Sequence, residues 1–277
     1  MTGIPFFQVD AFAEKPLTGN PAAIMPLDRW LPDDLMQAIA AENNLAETAF
    51  LVPSDSDDAD YDLRWFTPAV EVPLCGHATL AAGHILIRTG KIRFSTKSGI
   101  LTVTRSDDLL ELNLPAAKPT ASDEPELCAA LGLPPRPVWL TAPEFNDSAI
   151  VPVENEAEVL AVKPDFARLK TIRRMAIVTA PGDEQDIASR VFVPYAGIDE
   201  DPVTGSAHGA LVPYWAERLG RESFTALQAS QRTGLLHCRL AGDRVLLGGH
   251  CVTVIVGTFQ LRRSTRASRA GSASAGH

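Results

Sequence analysis

No stretch of the 277-residue chain holds 18 uninterrupted apolar residues, so no membrane-spanning helix is expected. The amino terminus, MTGIPFFQVDAF, has neither the basic segment nor the long apolar segment of a secretion signal, and a cytoplasmic protein is expected. Positive charge is scarce, with 25 Lys and Arg against 34 Asp and Glu, and the one basic cluster is the tail from Arg262 onward. The resulting net charge of -9 argues against a general nucleic-acid or anionic-membrane binder, because phosphate contacts need clustered basic side chains. The four cysteines, Cys75, Cys128, Cys238 and Cys251, form no CxxC pair and no metal-finger spacing, so reduced thiols are expected. His77 and His84 stand seven residues apart rather than the four of an HExxH pair, with no acidic ligand at useful spacing, and no metal is expected. The glycine patterns GxGxxG and GxxxxGK[ST] are both missing, which removes the simplest dinucleotide and nucleotide sites.

What is present suits a globular enzyme or binding domain. A hydrophobic content of 45% on a chain of this length can bury a substantial core, in one large domain or two ordinary ones. Short β-rich runs fill the first 115 residues: PFFQVDAF, ETAFLVP, YDLRWF, IRFST, GILTVTR and LLELNLP. Helical stretches lie between them around PDDLMQAIAAEN and HATLAAGHILIRTG, so the class is α/β or α+β. The Pro- and Ala-rich passage LPAAKPTASDEP then interrupts the pattern, placing a domain boundary near residue 117. The closing tail, residues 263–277, carries no apolar residue larger than Ala and is expected to be disordered.

An internal repeat gives the most informative structural signal. Arg64-Trp65-Phe66-Thr67-Pro68 resembles Arg190-Val191-Phe192-Val193-Pro194, and each is followed by an acid, a proline and a small-residue turn. Aligned on the glycine, Glu71-Val72-Pro73-Leu74-Cys75-Gly76-His77-Ala78 lies over Glu200-Asp201-Pro202-Val203-Thr204-Gly205-Ser206-Ala207. Two related halves would set these turns around a shared cleft; a chance likeness of two strand-turn-helix units is the alternative. The segments HATLAAGHIL and SAHGALVPYW after the two glycines lack a broad polar face and read as buried central helices. Pro213 should bend or interrupt the second of them, since it removes an amide donor.

A glycine turn opening a helix offers unpaired amides at the positive end of the helix dipole, a setting that holds a carboxylate without a cofactor. Gly76 and Gly205 permit close backbone approach, and Thr204 and Ser206 add hydroxyls, although many such turns are only caps. Glu47 lies between a predicted helix and an apolar strand. Partial burial there would raise its pKa toward the range of a general acid/base, while position alone favours a capping glutamate. Asp201 either orients a substrate group from the second half or belongs to a solvated acidic turn with Asp199 and Glu200. His77 titrates in the physiological range or serves a structural bond. Cys75, at a helix start, is either an activated thiol or an inert buried one.

Together these residues resemble the PhzF-like family of phenazine biosynthesis proteins, related in fold to diaminopimelate epimerase and proline racemase. The resemblance rests on Phe7-Gln8-Val9-Asp10-Ala11-Phe12 with Gly19-Asn20-Pro21-Ala22-Ala23, then Glu47-Thr48-Ala49-Phe50. Two further blocks are Phe66-Thr67-Pro68 through Cys75-Gly76-His77-Ala78-Thr79, and Asp201-Pro202-Val203-Thr204-Gly205-Ser206-Ala207-His208. It implies an α+β fold of two similar domains, each a mixed, mainly antiparallel sheet wrapped around a central helix, with the active site in the cleft between them. The expected domains are residues 1–116, completed by about 255–262, and residues 117–254. It further implies a homodimer and an isomerase that needs no cofactor and acts on a small carboxylated metabolite. Glu47 would move a proton between substrate carbons, with His77 and Asp201 assisting. Asn20, Gly76, Thr204, Gly205 and Ser206 would bind the substrate. The related epimerases use two facing cysteines; here Cys75 stands near one position and Asp201 near the other, so a racemase using Cys75 or Asp201 is the second reading. A metabolite-binding or interaction module without turnover is the third. The segment Gln231–Arg239 departs from the family's pattern, which predicts a different pocket wall there.

Overall fold

The computed structural model describes residues 3–143 and 147–261; the tail expected to be disordered lies outside the described residues. The first half runs β1 (Ile4–Ala11), β2 (Asn20–Pro26), α1 (Asp33–Asn43), β3 (Glu47–Pro53), β4 (Tyr61–Phe66) and β5 (Glu71–Val72). It continues through α2 (Gly76–Leu86), β6 (Gly90–Thr96), β7 (Gly99–Ser106) and β8 (Leu109–Pro115). The second half opens with β9 (Thr120–Asp123), α3 (Pro125–Ala130), β10 (Pro137–Leu140), β11 (Ser148–Pro152), α4 (Glu156–Ala161) and α5 (Phe166–Ile172). There follow β12 (Met175–Pro181), β13 (Ile187–Val193), β14 (Ile198–Asp201), α6 (Gly205–Leu219), β15 (Ser223–Gln228), β16 (Gly234–Ala241), β17 (Arg244–Gly249) and β18 (Cys251–Phe259). No helix among the described residues is long and apolar enough to cross a membrane.

The two halves share one plan. β2 runs parallel to β3, β4 antiparallel to β3 and parallel to β6, and β6, β7 and β8 form a meander. The same relations hold for β11 with β12, for β13 with β12 and β15, and for β15 through β17. The β8–β17 ladder joins the halves, and the edge strands are exchanged: β9 leaves the first half to pair with β10, whereas β18 returns to pair with β1. Most pairs are antiparallel, which gives the α+β architecture expected from the motifs. Diverged copies of the Arg-x-Phe repeat carry matching clamps. Arg64 grips Glu71 with two bonds of 2.8 and 2.9 Å, and Arg190 grips Glu200 with two of 2.8 Å. Each guanidinium also lies over the phenylalanine two residues on.

α2 and α6 are the central helices, and the largest apolar cluster surrounds both. Small residues allow the strands to wrap closely: a Cβ on Gly83 would lie 2.6 Å from Val103. Two smaller clusters lie on the outer faces, one under α1 and one under α3, α4 and α5. α6 runs unbroken from Gly205 to Leu219, so Pro213 does not interrupt it. The carbonyl that Pro213 cannot satisfy belongs to Gly209, and the Ala117 amide donates to it at 2.9 Å. A Cβ on Gly209 would lie 3.4 Å from the Pro115 carbonyl, so the connection between halves passes close beside the helix there.

Candidate active site

The amino-terminal ends of α2 and α6 meet where the halves face each other, and a Cβ on Gly76 would lie 3.1 Å from the Cα of Gly205. The amides of Gly76, His77, Gly205 and Ser206 precede the first intrahelical bonds, which run from Thr79 to Cys75 and from His208 to Thr204. Beside these ends lies a cavity of about 280 Å³. It collects Glu47, Cys75, His77, Asp201, Thr204 and Ser206 against an apolar wall that includes Val72, Leu74, Met175, Val193 and Ile198. Among the described residues no Lys or Arg lines it. Two larger depressions, about 590 and 770 Å³, lie elsewhere on the surface and bring together no comparable set of acid, imidazole and free amides.

Each expected residue can be placed. Glu47 opens β3, and its Oε2 is 3.1 Å from His77 Nε2, close enough for an ion pair though outside the angular range of a hydrogen bond. The other imidazole nitrogen, Nδ1, is 3.6 Å from Cys75 Sγ and 3.2 Å from Asn20 Nδ2. Asn20 reaches across the cleft from β2, donating to Asp201 Oδ1 and to the Val203 carbonyl, both at 2.8 Å. Thr204 Oγ1 donates to Asp201 Oδ2 at 2.5 Å. The alternative of a solvated acidic turn does not hold for Asp201, which is buried with both oxygens engaged. Thr204 and Asn20 therefore hold Asp201, while Ser206 and the helix-end residues Gly76, His77 and Gly205 line the cavity.

Burial depresses the His77 imidazole, whereas the Cys75 sulfur and the Glu47 carboxylate raise it, the carboxylate being the partner that is charged at neutral pH, and the net direction is upward. Burial, reinforced by Glu47, pushes the Cys75 thiol up to about 11, so it is protonated at neutral pH. Glu47, Cys75 and His77 bring donor atoms within 4.8 Å of one another, a spacing a metal ion could use. Sulfur and carboxylate address different ring nitrogens, whose lone pairs diverge, an arrangement better suited to relaying charge than to coordinating one ion.

Burial raises Asp201 from 3.8 to about 6, opposed by His77 and assisted by Glu47. Between about pH 4 and pH 6 the folded chain retains a proton that the unfolded chain has released, so this group makes stability fall as pH rises across that window. The decline amounts to about 3 kcal/mol at most. In Asp201→Asn it should disappear, which urea unfolding midpoints at pH 4 and pH 7 would reveal as a flattened difference.

Sequence reasoning missed Gln228. Fully buried at the end of β15, it accepts from the Thr204 amide at 2.8 Å and donates to the Asp201 carbonyl at 2.7 Å, fixing the turn that carries Asp201. Its signal is period-two alternation: Phe224, Ala226 and Gln228 point inward, and a glutamine on an inward face needs polar partners. The divergent stretch after Gln231 instead supplies Arg232, which bonds Asp10 at 2.9 Å and the Gly19 carbonyl at 2.8 Å, tying the halves beside Asn20.

Known proteins share this architecture. A family model for phenazine biosynthesis-like proteins, PhzC-PhzF, matches residues 9–257. A Pseudomonas aeruginosa protein named as an uncharacterized isomerase is 49% identical over 265 residues, covering 93% of this chain and 99% of its own. The crystal structure of a PhzF-family protein from Enterococcus faecalis superposes with a TM-score of 0.85 at 40% identity, over 94% of this chain and all of its own. A probable proline racemase from Agrobacterium radiobacter, 12% identical, shares the fold at a TM-score of 0.62 over 95% of this chain and 94% of its own. The motifs, the duplicated fold and these matches together show that the chain belongs to the PhzF family of phenazine biosynthesis-like isomerases.

Proposed function

We propose that this isomerase shifts a proton between two carbons of a small carboxylated metabolite, with Glu47 as the acid/base and no cofactor. The observation that supports this reading is a chemical asymmetry imposed on a symmetric frame. Glu47 and Met175 occupy the same register in their halves, being paired with Ala22 and Ser148 one residue before the Thr48–Phe66 and Ala176–Phe192 pairs. By the glycine alignment Cys75 corresponds to Thr204 and His77 to Ser206. The first half thus presents a carboxylate, a thiol and an imidazole, where the second presents a thioether and two hydroxyls. Inverting a stereocentre needs an acid and a base on opposite faces of the carbon; Met175, Thr204 and Ser206 are unsuited to removing a proton from carbon, and Asp201, the second half's carboxylate in the cavity, has both oxygens bonded to Asn20 and Thr204. A single base that takes the proton from one carbon and returns it to another on the same face needs no such partner.

The remaining groups fit that chemistry. Substrate carboxylate would bind the free amides of Gly76, His77, Gly205 and Ser206, whose helix dipoles supply the positive potential that no Lys or Arg provides. The same amides would stabilise negative charge developing as the C–H bond breaks. The His77 imidazolium would keep Glu47 oriented, and Asp201, near neutrality in its pKa, would position or protonate a polar substituent.

Proton NMR in deuterium oxide on a panel of small unsaturated and amino carboxylates tests the reading: deuterium uptake with a displaced double bond is expected. Inversion of an optically pure substrate without rearrangement would sink it in favour of an epimerase. In the same assay Cys75→Ser should keep turnover within about tenfold of the parent, since a thiol protonated at neutral pH is not the base. A loss near a thousandfold would transfer the role from Glu47 to the sulfur.

A further inference from the structure

We propose that the cavity at the carboxyl end of α6 is a second ligand site, separate from the cleft, and that it takes an aromatic amino acid. α6 ends at Gly220, whose left-handed φ of 65° turns the chain away toward β15. Between that helix end, the connection after β8 and strand β10 lies the depression of about 590 Å³, within the range of about 300–1,000 Å³ typical of small-molecule sites. The helix-end residues of the active site stand at the other end of the same 15-residue helix, about 22 Å away, and the two cavities share no lining residue.

One wall of this cavity is an aromatic platform. Trp139 and Tyr214 meet edge to face at 5.2 Å, and the Arg218 guanidinium lies over both rings, 4.8 and 3.5 Å from their centres. A 2.9 Å bond from Arg218 Nη1 to the Tyr214 carbonyl fixes it there. The result is a held, planar cation with no carboxylate partner among the described residues, suited to stacking on a ligand ring and to pairing with a ligand carboxylate. Pro119, Pro213 and Leu240 extend the apolar lining. The duplicated frame does not itself require the platform, because the glycine alignment sets Ile85 in the first half at the place of Tyr214.

The charges around the platform choose the ligand. Lys118, Arg218, Glu217 and Glu222 make no ion pair among the described residues, whereas Arg221 is bonded to Asp186. Two uncommitted cations and two uncommitted acids beside aromatic rings match a molecule that carries a carboxylate, an ammonium and a ring together. A nucleotide or another polyanion would be repelled by Glu217 and Glu222, and an aliphatic amino acid would leave the platform uncovered.

Isothermal titration calorimetry of L-phenylalanine into the full chain at low ionic strength tests this. A dissociation constant between about 10 µM and 1 mM is expected. 3-Phenylpropionate lacks the ammonium, 2-phenylethylamine the carboxylate and L-alanine the ring, and each should bind at least about tenfold more weakly. Trp139→Leu and Lys118→Gln should each weaken L-phenylalanine by about tenfold. Lys118 is exposed, so its variant keeps the test decisive should Trp139→Leu fail to fold. No binding by about 20 mM ligand would overturn the proposal. Binding that neither substitution alters would do so too, placing the ligand in the cleft. Equal binding of 3-phenylpropionate or 2-phenylethylamine would overturn the ligand class, since one pair of charges would then play no part.

Discussion

Glu47→Gln should lower the rate of proton exchange and of product formation by at least about a thousandfold, the upper part of the range expected for a general acid/base. The substitution preserves shape and removes the group that accepts the proton. Its structural consequences are contained, because Glu47 is at the start of β3 with its side chain 14% exposed and makes one charged contact, to His77. Loss of that contact lowers the imidazole pKa, so a probe of His77, such as its ring proton shift, should titrate at lower pH in the variant. The global unfolding free energy should change by less than about 2 kcal/mol. Exchange that survives in a well-folded Glu47→Gln protein would remove Glu47 from the chemistry and direct attention to Asp201. The single-turnover rate, compared with the unfolding midpoint, separates these outcomes.

Gly76→Val should damage both stability and turnover, by overpacking at the meeting point of the halves. A Cβ at Gly76 already lies 3.1 Å from the Gly205 Cα, and its other neighbours are the Leu112 side chain at 3.5 Å and more of Gly205. Valine adds two methyl groups where backbone, which cannot rotate away, forms one wall. The helix ends must separate, at a cost of roughly 1–3 kcal/mol. Separation also spoils the convergence of amides from α2 and α6, and misplacement of positioning groups by an ångström costs on the order of 100-fold in rate. Gly205→Val should reproduce the effect by the reciprocal contact. Urea denaturation and the deuterium-exchange assay on both variants check this; a Gly76→Val protein with parental stability and rate would mean that the helix ends have slack the geometry does not show.

The legibility of this protein in its sequence varied with how locally each feature is encoded. Alternation in YDLRWF and LLELNLP marks strands because one face is buried, and each segment carries its own evidence. The repeat around Arg64 and Arg190 was legible because both copies still need an arginine to clamp an acid, which held the residue types fixed. Met175 as the counterpart of Glu47 was not legible: β3 and β12, ETAFLVP and MAIVTAP, share shape and burial more than residues. An interruption at Pro213 did not follow because the rule for a helix interior is local, whereas the donor that replaces its missing bond arrives from Ala117, about a hundred residues away in the chain. Gln228 escaped because its partners, Thr204 and Asp201, become neighbours only once β13, β14 and β15 are assembled.

The exchange of β9 and β18 between the halves bears on how the chain is made. During synthesis β1 through β8 leave the ribosome without the strand that flanks β1, since that strand begins at Cys251. At ordinary elongation speeds the gap lasts on the order of ten seconds. Throughout that interval the first half carries an open β1 edge, and it can reach its final packing only after nearly the whole chain has emerged. Vectorial folding of one half followed by the other is therefore excluded as a complete route. Carboxy-terminal truncations that remove β18 should therefore destabilise the first half, far from the cut in sequence.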